Sequence, residues 1–202
     1  MYIPPYSKNQ NEEEVKDFIR QNGFGILINQ LEGKPCATHI PMILSEDGSK
    51  ISGHVAKGNK QWKDFAAHPD VLAIFSGPHT YISSSWYNHE NVPTWNYIAV
   101  HVSGQINIIE GEELVESLKH LVNKYEKDSI HPVSVETMTP RYLETEIRGI
   151  VGFEIKIRKI EATYKLSQNR DKENHQRVIT ALEDRKDKGS LEIAEEMKKR
   201  RP

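Results

Sequence analysis

Three apolar, alternating segments follow one another between residues 24 and 56 with almost nothing between them, and that spacing limits the fold more than any other feature. FGILINQLEG (24–33), PCATHIPMIL (35–44) and SKISGHVA (49–56) are separated only by the turn sequences EGKP and SEDG. A parallel neighbour needs a crossover of about a dozen residues or more, so these segments predict an antiparallel meander. DVLAIFSGP (70–78), HTYISSSWY (79–87), TWNYIAVHVSGQINII (94–109) and GIVGFEIKIRKIEATYKLS (149–167) bring the expected sheet to six or seven strands. The class is α+β: a small antiparallel barrel decorated by helices, because the long crossovers of a βαβ sheet are mostly missing.

The helices are expected at the edges of that barrel. NEEEVKDFIRQNG (11–23) places Val15, Phe18 and Ile19 on one face, and GNKQWKDFAAHP (58–69) reads as a helical stretch capped by Gly58 or Asn59. EGEELVESLKHLVNKYEKD (110–128) carries a long apolar stripe with acids in its first turn, and Pro140 sits near the start of a shorter helix. Residues 169–202 give two helical segments broken at Gly189, a hairpin. The expected organisation is a barrel domain over 1–166 and a helical extension over 167–202 that packs on the barrel or on a partner subunit.

Composition excludes several function classes. With 37% hydrophobic and 28% charged residues the chain is globular, and a formal net charge of -2 supplies no overall field for nucleic acid or an anionic membrane. Cys36 is the only cysteine, so no intrachain disulfide and no cysteine-based zinc site can form; it reads as a buried small hydrophobe. The N-terminus MYIPPYSKNQ has no charged region followed by an apolar stretch, and no run is long enough to span a membrane, so the expected address is the cytoplasm. Neither GxSxG nor HExxH occurs, and no catalytic residue is identified. Histidines 39, 54, 79, 89 and 101 would have to assemble a metal site from separate strands, and no metal is expected.

GHVAKGNKQW (53–62) is the stretch with chemistry in it. It brings Lys57, Gly58 and an expected helix N-terminus to one corner, with His54 on the strand before and Asn59 and Gln61 as hydrogen-bond donors. Such a corner suits a phosphate, although it matches neither GxxxxGK[ST] nor GxGxxG. The plainer alternative is a solvated Lys57 and an ordinary cap at Asn59.

MYIPPY, THIPM, GHVAKGNKQWK, SGPHTYISSSWY, VPTWNYIAVHVSG and KLSQNR occur in that order and span nearly the whole chain. Together they resemble the PaiB family, described as negative transcriptional regulators of protease synthesis and sporulation. The resemblance implies an FMN-binding split barrel of the kind shared with pyridoxamine-phosphate-oxidase-like proteins, usually a homodimer with flavin at the subunit interface. By that likeness His54, Lys57, Asn59, Gln61 and Trp62 stand where the FMN phosphate is cradled. Asn59 and Gln61 replace the Ser and Lys of more familiar flavin enzymes, which lowers the positive charge of the corner. Thr38 and His39 would face an isoalloxazine or ribityl chain. His79, Tyr81, Ser83, Trp86, Thr94, Trp95 and Asn96 form an aromatic and polar set suited to a planar ring, or equally to a subunit interface. FMN is the implied cofactor; haem ranks behind it but stays open, since some split-barrel relatives bind and degrade haem.

A regulator implies DNA as a partner, through Arg170, Lys172, Arg177, Arg185, Lys186, Lys188 and KKRRP at 198–202. Acids are interleaved throughout that stretch, the pattern of a solvated helix face, so charge supports DNA contact only weakly. Two classes of function therefore stand: a homodimeric, ligand-sensing negative regulator of protease production and sporulation, or an FMN-dependent oxidoreductase or flavin/haem-handling enzyme. No membrane partner is expected.

Overall fold

A computed structural model describes residues 1–200 of the chain; Arg201 and Pro202, the end of the basic KKRRP run, lie outside the described residues. The elements are α1 (Glu12–Gln21), β1 (Phe24–Leu31), β2 (Lys34–Leu44), β3 (Lys50–Ala56), β4 (Asp70–Ile82), β5 (Thr94–Ile109), α2 (Gly111–Glu126), α3 (Pro140–Arg148), β6 (Ile150–Lys165), α4 (Lys172–Arg185) and α5 (Lys188–Lys199), with short 3-10 turns between some of them. The strands close into a barrel in the order β1-β2-β3-β6-β5-β4. This is the α+β barrel with flanking helices and a C-terminal helical hairpin that the sequence predicts.

The chain forms two compact units. One comprises Lys16–Phe75 and His101–Ile160; the other comprises Met1–Val15, Ser76–Val100 and the chain from Glu161 onward.

In the first unit, β1 and β2 close at Leu31↔Lys34 through Glu32 and Gly33, whose φ values of 52° and 74° are those of a type I′ hairpin. Alternation then buries Leu27, Met42, Ile51, Val55, Ala73, Phe75, Phe153 and Ile155. Each of these side chains larger than Ala73 contributes about 1.5–3 kcal/mol. Gly53 pairs with Phe153 across β3 and β6, and a Cβ there would lie 2.8 Å from the ring, so the glycine makes room for Phe153 to meet Phe65 edge-on at 6.1 Å. Helix α2 seats Leu114 against Gly152 in the same way, since a Cβ on Gly152 would come within 2.5 Å of the leucine methyl.

Three sequence expectations change here. The strands expected at 70–78 and 79–87 are one continuous strand, β4, which reaches Ile82, so the barrel has six strands. Ser76, Gly77 and Pro78 look like punctuation, but a proline is tolerated where no ladder bond needs its missing N–H. The helix expected from residue 58 is a 3-10 turn of five residues, Lys60–Asp64, too short to carry a useful dipole. Cys36, expected to be buried, is half-exposed in β2 opposite Asn29, near the turn of the hairpin.

In the second unit, α4 and α5 pack as a hairpin through Val178, Ile179, Leu182, Ile193, Ala194 and Met197, all buried. The break falls at Lys186, in the left-handed region, and Asp187, which caps α5 by accepting from the Ser190 N–H. Gly189, the expected break, lies inside α5, where its missing Cβ would sit 2.9 Å from the His79 carbonyl oxygen. Ser190 Oγ and Thr80 Oγ1, 3.1 Å apart, complete that seam against β4. No helix among the described residues is long and apolar enough to cross a membrane.

Candidate functional site

In the first unit the chain leaves β3 at Ala56 and turns through Lys57, Gly58 and Asn59. The Asn59 N–H donates to the Ala56 carbonyl and the Lys57 N–H to the Gly149 carbonyl, both at 2.8 Å. Asn59 caps the 3-10 turn by accepting from the Gln61 N–H at 3.0 Å, and its amide donates to Thr38 Oγ1 at 2.9 Å. Gln61, 0% exposed, donates through Nε2 to the Leu27 carbonyl at 3.0 Å and accepts from the Thr38 hydroxyl at 2.5 Å. Asn29 donates to the Gln61 carbonyl at 3.3 Å, and the Trp62 indole N–H donates to the Lys57 carbonyl at 3.0 Å.

The roles expected at this corner therefore separate. Asn59, Gln61, Thr38 and Trp62 spend their polar groups on fixing the turn, so Gln61 is not a phosphate donor and Asn59 has its amide engaged by Thr38. Lys57, Gly58 and Lys60 are exposed, and a Cβ placed on Gly58 would meet nothing within 4 Å. His54 is half-buried, and burial pushes its imidazole below the ordinary range, toward the neutral form. His39 is exposed and stacks on Phe24 at 6.3 Å and 30°. An open turn with two ammonium groups and a glycine that admits close approach fits a dianionic phosphate; what supplies the fit is Lys57 and Lys60, without help from a helix dipole.

The remaining expected residues lie in the second unit. Trp95, 53% exposed, stands 6.2 Å from the His79 ring and 6.1 Å edge-on to Tyr81, itself 40% exposed. These three make an uncovered aromatic surface suited to stacking. The others are engaged in structure. Asn96 is buried, exchanging hydrogen bonds with the Ser167 hydroxyl at 3.0 and 3.2 Å. Ser83 caps a short turn by accepting from the Ser85 N–H, and the Trp86 carbonyl accepts from Arg177 Nε at 2.9 Å. Thr94 accepts from Lys165 Nζ at 2.5 Å, a partner that the sequence did not single out. Among the described residues no group of three or more His, Cys, Asp or Glu side chains could hold a metal ion.

Comparison with known proteins gives three results. Residues 1–159 match the family described as "Putative FMN-binding domain". The Protease synthase and sporulation protein PAI 2 of Bacillus subtilis (strain 168) is 47% identical over 199 residues, covering 98% of this chain and 96% of that protein. Among solved structures, a conserved hypothetical protein from Mycobacterium tuberculosis superposes with a TM-score of 0.62 at 16% identity, covering 85% of this chain and 94% of that one. The flavocytochrome Anf3 from Azotobacter vinelandii gives 0.61 at 18% identity, over 87% and 78%. At these identities the two structures speak for the fold alone.

Proposed function

The chain belongs to the "Putative FMN-binding domain" family, and from that premise we propose that it is a flavin-binding, homodimeric negative regulator of protease production and sporulation. The observation that carries the regulatory reading is the 47% identity to the Bacillus subtilis sporulation protein over nearly the full length of both chains. FMN supplies redox chemistry when bound, and the protein contributes the binding surface and its electrostatics. Lys57 and Lys60 hold the phosphate beside Gly58, while Thr38, Asn59 and Gln61 keep the turn in place. In the other unit, His79, Tyr81 and Trp95 offer ring faces to the partner subunit.

Two titrations test this reading. FMN added to the purified chain should give a flavin spectrum with a stoichiometric endpoint. Binding to promoter DNA should fall steeply as salt rises if phosphates are contacted, and flat or absent DNA binding would overturn direct regulation. The uncovered His79, Tyr81 and Trp95 rings favour one second reading, an FMN-dependent oxidoreductase that leaves room for a planar substrate. Flavin turnover with a reductant, in the absence of DNA binding, would select it.

A further inference from the structure

The turn that follows β6 carries two cations with no acid between them. Lys165 and Arg170 are both half-buried, and neither forms an ion pair among the described residues. The acids next in sequence are already engaged: Asp171 accepts from the N–H and the side-chain amide of Asn174, at 3.0 and 2.8 Å. Glu173 accepts from the Asn88 amide at 3.0 Å. Burial, and secondarily the charge of Arg170, pushes the Lys165 amine below its usual range, with no carboxylate among the causes to offset them. A cation in that setting lacks its counter-charge.

The groups around these cations are also short of acceptors. Arg170 lies over the ring of Tyr87 at 5.2 Å and reaches Asn91 Oδ1 at 3.4 Å. The Tyr87 hydroxyl, on a residue only 6% exposed, and the Asn91 side-chain nitrogen are buried and have no hydrogen-bond partner. Lys165 gives one N–H to Thr94 Oγ1 and keeps two. The turn itself is preset. Gln168 accepts from the Leu166 N–H at 2.7 Å and donates to the Tyr164 carbonyl at 2.5 Å, and Ser167 holds a φ of 59°.

We propose that Lys165 and Arg170, with Tyr87 and Asn91 of the facing loop, form an anion subsite that takes the carboxylate or phosphate group of a small ligand. The Lys165 ammonium, the Arg170 guanidinium and two donors without acceptors share one need, which an oxyanion meets, and a bidentate guanidinium is suited to either group. The subsite involves none of the residues of the β3 corner, so it stands or falls apart from FMN binding.

The test is a site-resolved titration of the full-length, flavin-free protein, following backbone amide resonances by NMR at constant ionic strength. Inorganic phosphate and acetate are the probes, added separately. Saturable shifts at residues 87–94 and 165–170 are expected with at least one probe: phosphate alone identifies a phosphate ester, acetate alone a carboxylic acid, and both an unselective oxyanion site. Arg170→Gln and Lys165→Gln should each weaken that binding at least about ten-fold while leaving any shifts at residues 56–60 unchanged. Lys165→Gln leaves Tyr87 and Asn91 untouched, so the test survives if Arg170→Gln does not fold. No saturable shift at these segments with either probe, or shifts that persist undiminished in both variants, would overturn the proposal.

Discussion

The Thr38 hydroxyl donates to the Gln61 side-chain oxygen at 2.5 Å, while the same Gln61 amide donates to the carbonyl of Leu27, the residue paired with Thr38 across β1 and β2. One buried side chain thus fastens the turn after β3 onto two strands at a single rung of their ladder. Gln61→Ala would leave the Leu27 carbonyl and the Thr38 hydroxyl without this partner, and each buried group so orphaned costs about 1–3 kcal/mol. Urea unfolding of Gln61→Ala should show a loss of about 3 kcal/mol, with a smaller loss of about 1 kcal/mol for Thr38→Val, which takes one donor from the Gln61 side chain and leaves its bond to the Leu27 carbonyl intact. A Gln61→Ala protein as stable as the parent would show that the turn is held by other means.

Two glycines in the first unit should respond oppositely to one added methyl. A Cβ on Gly104 would lie 2.4 Å from the Lys156 carbonyl oxygen, a backbone atom that cannot swing aside, whereas one on Gly58 would meet nothing within 4 Å. Gly104→Ala should lose about 2 kcal/mol or more, and Gly58→Ala should stay within about 0.5 kcal/mol of the parent. Thermal unfolding of the two variants side by side checks both. Equal melting temperatures would contradict the close approach of β5 and β6 at Gly104.

The barrel was legible because each strand declares itself by alternation and each tight turn by its residues: Glu32–Gly33 could be read as a hairpin before any register was known. Continuity through Ser76–Pro78 was not legible, because glycine and proline mark a turn in sequence and only the structure shows the strand running on through them to Ile82. At the corner, Lys57 and Gly58 remained where the sequence put them, open and exposed. The inward fate of Gln61 and Asn59 depended on which β2 residue faces Leu27, a pairing that spacing alone does not fix. Lys165 escaped notice for a related reason: a lysine ending an alternating strand looks solvated until its half-burial and its Thr94 contact are seen.

Acid should weaken the fold in part through His54. Burial lowers its folded-state pKa, while the unfolded imidazole titrates near about 6.5, so below that pH the unfolded chain binds the extra proton first. Stability contributed by the neutral ring is complete above about pH 6.5 and is lost as pH falls toward the depressed folded value. Urea unfolding at about pH 7.5 and 5.5 should show a larger loss for the parent than for His54→Gln. Identical losses would show that His54 contributes nothing to the acid sensitivity.

Lys57 separates the phosphate of FMN from its ring. If the ammonium groups of Lys57 and Lys60 hold the phosphate, Lys57→Glu replaces an attraction with a repulsion at that end only, since the Thr38, Asn59 and Gln61 network uses the Lys57 backbone neighbours and not its side chain. FMN affinity should fall at least about ten-fold, a loss of about 1.4 kcal/mol or more, and riboflavin, which has no phosphate, should bind both proteins alike. Fluorescence quenching of each flavin by parent and variant gives the four constants. Equal weakening of both flavins would point to damage at the ring site, and unchanged FMN binding would remove the corner from the site altogether; only a loss confined to FMN assigns the phosphate to Lys57.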